Sequence, residues 1–157
     1  GDIELCWRAL PVPVVAVTGT NGKSTTTCLI DALLRAAGLR SAAAGNLGEP
    51  ALDLVGRPLD VAVLEVSSFQ LETTEAFRPR VAVVLNITPD HLDRHGDLRG
   101  YIAAKARILE NQHADDTAVL NLDDAHVAEN FQMTNSTKSD RNHQPKHFVK
   151  FVFCNNM

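Results

Sequence analysis

The apolar positions of this 157-residue chain fall into short runs separated by polar turns, with no long periodic pattern. Val14-Val15-Ala16-Val17 is the first run, β-branched and continuous, and it breaks at Thr18 into a glycine-bracketed turn that ends in Lys23-Ser24-Thr25. Leu29, Leu33, Ala36 and Ala37 then recur at helical spacing until Gly38, predicting a helix that lays this stripe on one face of a sheet. Leu39 to Ala44 reads as a second strand, followed by Gly45-Asn46-Leu47-Gly48-Glu49-Pro50 and a modest helix through Val55. Asp60 to Val66 is apolar apart from its first residue and Glu65 near its end, the pattern of a strand buried on both faces. Arg80 to Ile87 repeats it, Asp97 to Asn111 reads as a helix, and Asp116 to Leu122 as a further strand. Residues 1–12 precede all this as a short helix halted by Pro11 and Pro13.

Strand and helix thus alternate from residue 13 to about 128, which predicts an α/β fold with a doubly wound, mostly parallel sheet. Ligands of such sheets bind beyond the carboxyl ends of the strands. The polar residues gather there: Thr18 to Ser24, Asn46, Glu65 with Ser67 and Ser68, and Thr88 to His95. From about Glu129 the chain turns polar, Asn-rich and aperiodic, so 129–157 is expected to be a disordered or loose tail. Its last run, Phe148 to Phe153, has strand character with nothing visible to pair with.

Composition narrows the function. At 45% hydrophobic the chain can build one globular core, burying about 70% of its unfolded surface. A net charge of −4 argues against nucleic acid or an anionic membrane as partner. Cys6, Cys28 and Cys154 are odd in number and lack C-x-x-C spacing, so neither a disulfide framework nor a zinc site is indicated and a cytoplasmic location fits. There is no leader pattern, the apolar runs are too short to span a bilayer, and Asn135-Ser136-Thr137 reads as a chance sequon. Because the chain starts at Gly1 and not at Met, it is expected to be a piece of a longer protein.

The turn after the first strand has the chemistry of a phosphate loop. Gly19 and Gly22 let backbone N–H groups approach a triphosphate closely, and the helix that follows adds the partial positive charge of its N-terminus. Lys23 can reach the β and γ phosphates, and the Ser24 hydroxyl can sit on magnesium. The loop is shorter than a general P-loop, whose first glycine would fall at Val17. Glu65, at the end of a buried strand, can hold the same magnesium from the other side. Asp90-His91-Leu92-Asp93-Arg94-His95 could bind a metal or exchange protons, or be an ordinary polar loop. Lys105 on its own reads as a solvated surface lysine.

Together, Thr18-Gly-Thr-Asn-Gly-Lys-Ser-Thr25, Glu65 and Asn86-Ile-Thr-Pro-Asp-His-Leu-Asp93 resemble the central ATP-binding domain of the Mur ligases, which build the peptidoglycan peptide. Within the family, Gly45-Asn-Leu-Gly48, Leu64-Glu-Val-Ser-Ser-Phe-Gln-Leu-Glu-Thr-Thr74 and Tyr101-Ile-Ala-Ala-Lys-Ala-Arg-Ile108 resemble the member that adds D-glutamate. The resemblance implies an ATP- and Mg²⁺-dependent amide ligase that activates the carboxylate of UDP-N-acetylmuramoyl-L-alanine as an acyl phosphate for attack by D-glutamate. It would act as a monomer on these small molecules. By the same resemblance Lys23 would neutralise the phosphates, and Gly19, Thr20, Asn21, Gly22 and Thr25 would shape their nest. Ser24 and Glu65 would hold one magnesium and His91 a second. Lys105 would be carbamylated, turning an ammonium into an anionic ligand, and Asn46, Ser67 and Gln70 would contact the muramoyl substrate. Residues 1–12 then correspond to the end of a preceding domain and 13–128 to an incomplete central domain, whereas 129–157 resemble nothing in the family. A fragment of this kind is not expected to ligate alone. The alternative is a plain nucleotide-binding module or pseudo-domain, which would have no use for the Ser67-Ser-Phe-Gln-Leu71 run or for a carbamylated lysine.

Overall fold

The computed structural model describes residues 1–131 and the backbone of 147–151. The expected strands form as Val14–Thr18 (β1), Ser41–Gly45 (β2), Val61–Glu65 (β3), Val81–Val84 (β4) and Thr117–Asn121 (β5). With His147–Phe151 (β6) they make, among the described residues, one six-stranded parallel sheet in the order β2-β3-β1-β4-β5-β6. The order turns at β1, which lies between β3 and β4. That is the topological switch point at which a parallel sheet opens a crevice for a ligand. The helices are Asp2–Ala9 (α1), Lys23–Ala36 (α2), Ser68–Glu72 (α3), Leu92–His95 (α4), Leu98–Ala106 (α5) and Ala125–Asn130 (α6), with 3₁₀ turns at Ala51–Leu54 and Arg107–Leu109. None of the described helices is long and apolar enough to cross a membrane.

One face of the sheet carries the main core. Alternate strand residues Ala16, Ala44, Leu64 and Val84 pack there with Ile3, Leu71, Phe77, Tyr101 and Ile108, all at most 1% exposed. Helix α1 is bound into this core: Ile3 and Cys6 are fully buried, and the Glu4 carboxylate accepts the backbone N–H groups of Glu75, Ala76 and Phe77 at 3.0, 3.1 and 2.9 Å. At the amino ends of the strands, the buried Asp116 carboxylate joins Arg78 and Arg80, beside a cleft of about 240 Å³ that also meets Trp7.

Three elements differ from expectation. Helix α2 covers the opposite face, but not with its leucine stripe: Leu29 is 56% and Leu33 61% exposed, while Thr27 and Asp31 point inward, Asp31 accepting the Ser41 hydroxyl at 2.6 Å. The inward side of the helix is tied to the sheet by polar contacts at two points, Ser24 donating to Glu65 at 2.7 Å in the first turn and Asp31 meeting Ser41 further on. The helix expected over Asp97–Asn111 is α5, capped by the Asp97 carboxylate on the Gly100 N–H, followed by a 3₁₀ turn. The run beginning at Phe148 does find a partner, since β6 pairs with the outer edge of β5 from Thr117↔His147 to Asn121↔Phe151. Local pattern cannot show a parallel partner 30 residues away. The polar stretch 132–146 with Asn135, and residues 152–157, lie outside the described residues.

Candidate nucleotide and metal site

The phosphate loop leaves β1 at Thr18 and turns through Gly19 and Gly22, whose φ values of 150° and 80° only glycine adopts readily. At Gly19 a Cβ would also stand 3.0 Å from the Leu85 Cβ. No side chain caps α2, so its first-turn N–H groups, with exposed Thr25 beside them, are directed at whatever fills the crevice. The loop is pinned from β4. Asn86 accepts the N–H groups of Thr20 and Asn21 on Oδ1, at 3.2 and 2.8 Å, and donates from Nδ2 to the Asn21 carbonyl at 3.0 Å. The Thr20 hydroxyl lies 3.1 Å from the Tyr101 hydroxyl and accepts the Thr88 N–H at 3.0 Å. Lys23 folds back to donate to the Thr20 carbonyl at 2.9 Å.

Beneath the loop, Glu65 is 2% exposed, and neutral donors meet both of its oxygens: the Ser24 hydroxyl at 2.7 Å on Oε2 and the Asn46 amide at 3.0 Å on Oε1. A buried carboxylate held only by neutral groups lacks its counter-charge. A hard divalent cation between Ser24 and Glu65 would supply that charge, so the donor set fits magnesium.

Lys105 is a buried residue, 2% exposed, not the surface lysine its sequence neighbours suggest. Its ammonium donates to the Gly19 carbonyl at 2.9 Å and lies 4.6 Å from the centre of the Tyr101 ring. Burial, together with the charge of Lys23, brings its pKa down to about 8, a shift the Asp90 carboxylate partly opposes. A lysine lowered in this way is charged in both folded and unfolded chains below pH 8, and the folded state bears the desolvation cost. As pH rises from about 8 to the ordinary 10.4, the unfolded chain holds more protons and stability increases. Lys105→Met is therefore expected to stabilise the nucleotide-free chain by about 1–3 kcal/mol at pH 7. In urea unfolding the gap should close by pH 10.

His91 stands apart from this group. It is the one non-glycine residue among the described residues with positive φ, at 50°, and its side chain is 48% exposed. Its backbone N–H donates to Asp90, and its ring leans on Phe69 at 4.8 Å between centres. The described contacts do not join it to Glu65 or Lys105, and no three His, Cys, Asp or Glu residues cluster for a metal among the described residues. Asp90, its neighbour, is the carboxylate whose charge reaches Lys105. Ser67 and Gln70 close a reciprocal cap at the start of α3: Ser67 Oγ accepts the Gln70 N–H at 3.2 Å, and Gln70 Oε1 accepts the Ser67 N–H at 3.1 Å. Gln70 Nε2 donates to Asp2 at 2.9 Å, tying α1 to this turn. Asn86 and Tyr101 complete the site, although sequence reasoning gives neither a role. Asn86 ends a strand beside the loop, which is the signal that could have found it.

The Mur ligase middle domain family model matches residues 17–150, past the point where the sequence reading places an unrelated tail. The chain is 56% identical over 126 residues to the UDP-N-acetylmuramoylalanine–D-glutamate ligase of Pelotomaculum thermopropionicum, covering 79% of this chain and 28% of that protein. It is 47% identical over 151 residues to the ligase of the same name from Koribacter versatilis, covering 94% and 33%. Among solved structures it is similar to UDP-N-acetylmuramoyl-L-alanyl-D-glutamate–2,6-diaminopimelate ligase, with a TM-score of 0.70 and 31% identity over 98% of this chain and 34% of the other. The chain thus spans a third or less of the length of these curated relatives.

Proposed function

The chain belongs to the Mur ligase family through its middle domain, and from that premise we propose that it is the nucleotide-binding part of an ATP-dependent ligase adding D-glutamate to UDP-N-acetylmuramoyl-L-alanine in peptidoglycan synthesis. The observation that carries the reading is the buried Glu65 carboxylate bonded to the exposed Ser24 hydroxyl under an uncapped helix N-terminus, a cation seat beside a phosphate seat. The names of relatives at 47–56% identity supply the substrates.

Bound Mg·ATP supplies the phosphoryl group that activates the substrate carboxylate. The residues supply position and charge, which dominate phosphoryl transfer. The N–H groups about Gly19, Asn21, Gly22 and Thr25 bind phosphate oxygens, while Lys23 exchanges the Thr20 carbonyl for the phosphates and offsets their charge. Ser24 and Glu65 would hold magnesium, and Asn46, bonded to the other Glu65 oxygen, keeps the carboxylate oriented. Lys105, as a neutral amine, adds to CO₂: a C–N bond forms, one proton leaves, and the anionic carbamate removes the repulsion between Lys105 and Lys23. His91 would hold a second magnesium, and Ser67 and Gln70 would contact the muramoyl substrate at the start of α3. The whole enzyme acts as a cytoplasmic monomer on small molecules. This chain binds nucleotide but does not ligate alone, because two-substrate positioning needs walls from the rest of such a ligase.

Thermal unfolding with and without Mg·ATP tests the reading. At a hundred times Kd the ligand adds about 2.7 kcal/mol, a rise of about 5–10 °C for a domain of this size. Lys23→Ala should abolish the rise. An unshifted wild-type transition, or a shift that survives in Lys23→Ala, would count against it.

A further inference from the structure

His95 has no part in the phosphate or cation chemistry above, yet it is the most enclosed imidazole described at the site, its side chain 1% exposed at the end of α4. Both ring nitrogens are anchored on α3: Nδ1 lies 3.0 Å from the Glu72 carboxylate, and Nε2 3.0 Å from the Ser68 hydroxyl. A carboxylate only accepts, so Nδ1 carries a proton toward Glu72. The order Ser–His–Glu is that of an activated nucleophile, but Ser68 is 2% exposed, and no substrate carbonyl can reach it. What the anchors fix is the plane of the ring. One neighbour is Phe69, stacked at 5.5 Å and 11°, and another is Tyr101 at 5.3 Å and 52°. Phe69 in turn supports His91, and the Tyr101 hydroxyl meets Thr20 in the phosphate loop.

We propose that His95 is a positioning residue: held by Glu72 and Ser68, its ring backs Phe69 and Tyr101 and so sets both the His91 imidazole and the Thr20 side of the phosphate loop. The seat for His91 rests on the structure alone; its use in holding a second cation rests on the function proposed above. His91 needs such support, since its backbone is in a left-handed conformation and nearly half its side chain faces solvent.

The test uses the whole chain in two steps. In NMR of the nucleotide-free protein, contacts between the Phe69 and His91 ring protons are expected in the wild type and lost in His95→Asn, whose amide can still donate to Glu72. Glu72→Ala removes an anchor without touching the ring and should weaken the same contacts, while Glu72→Gln, still an acceptor, should restore them; this pair also serves if His95→Asn does not fold. In the second step, Mn²⁺ is titrated in the presence of AMP-PNP, and affinity for a second Mn²⁺ should fall about tenfold in His95→Asn, as when a group orienting a metal ligand is lost. Unchanged ring contacts in His95→Asn and Glu72→Ala overturn the proposal, whereas loss of contacts with unchanged Mn²⁺ affinity upholds the positioning role and overturns the use of His91 in holding a second cation. A wild-type chain that binds no AMP-PNP refutes the nucleotide reading instead and leaves the ring contacts to decide the role of His95.

Discussion

Gly45→Ala is expected to cost about 3–5 kcal/mol of stability and to abolish the gain from Mg·ATP at the same time. Gly45 ends β2 opposite Glu65, and a Cβ there would stand 2.3 Å from the Glu65 carbonyl oxygen. No rotamer relieves that overlap, because the Cβ position is set by the Gly45 backbone and the oxygen belongs to the Glu65 backbone. The φ of 110° is closed to L side chains as well, so the new residue brings strain even if the strands part. Parting them turns the Glu65 peptide, whose carbonyl accepts the Asn46 N–H at 3.0 Å and whose carboxylate holds Ser24. Stability and the proposed cation seat are therefore damaged by one displacement. Gly48→Ala is the internal control: its φ is 54°, within the small left-handed region, and nothing lies within 4 Å of the added carbon. It should cost about 1 kcal/mol and leave the Mg·ATP gain intact. Urea unfolding and the thermal shift, measured on both variants, check the pair. Equal losses in the two would mean that the close approach to Glu65 does not matter.

The phosphate loop and the strands were legible because their signals are local: glycines at fixed offsets, a β-branched run, one acid at the end of a buried strand. Glu65 and Ser24 meet as the spacing predicts. The orientation of α2 was not legible, because its leucines obey helical spacing while the contacts of its inward side are polar and non-local, Ser24 to Glu65 lying 41 residues apart in sequence. The burial of Lys105 was hidden for the same reason: its partner is the Gly19 carbonyl, 86 residues earlier, and a lysine in an alanine-rich helix looks solvated until the fold places it over the loop. The family resemblance singled out Lys105 where periodicity could not. It passed over His95, whose anchors and ring neighbours come from two other segments, α3 and α5, that only the fold brings to it.

Glu4→Ala should be the most damaging change outside the site, a loss of about 3–5 kcal/mol from a domain with about 5–15 kcal/mol in hand. Glu4 is 5% exposed, and its carboxylate serves three consecutive N–H groups, Glu75, Ala76 and Phe77, as well as Arg8 at 2.7 Å. Alanine leaves those donors without an acceptor where Phe77 is fully buried, and each buried donor left unpaired costs about 1–3 kcal/mol. Burial pushes the Glu4 carboxyl up, but the Glu75 N–H, Arg8 and the N–H groups of Ala76 and Phe77 together hold it below the ordinary carboxylate range. A carboxyl lowered in the folded state contributes its stability above the unfolded value, about 4.3, and loses it as pH falls through the lowered one. The gap between wild type and Glu4→Ala in urea unfolding should thus be widest at neutral pH and shrink below about pH 4. Glu4→Gln, which keeps one acceptor oxygen, should fall between them. A gap independent of pH would place the cost in lost packing and not in the charge. Because the same helix holds Gln70 through Asp2, loosening α1 should also free the start of α3. A helix that precedes every strand of the sheet would then be as much a part of the site's support as the strands that carry it.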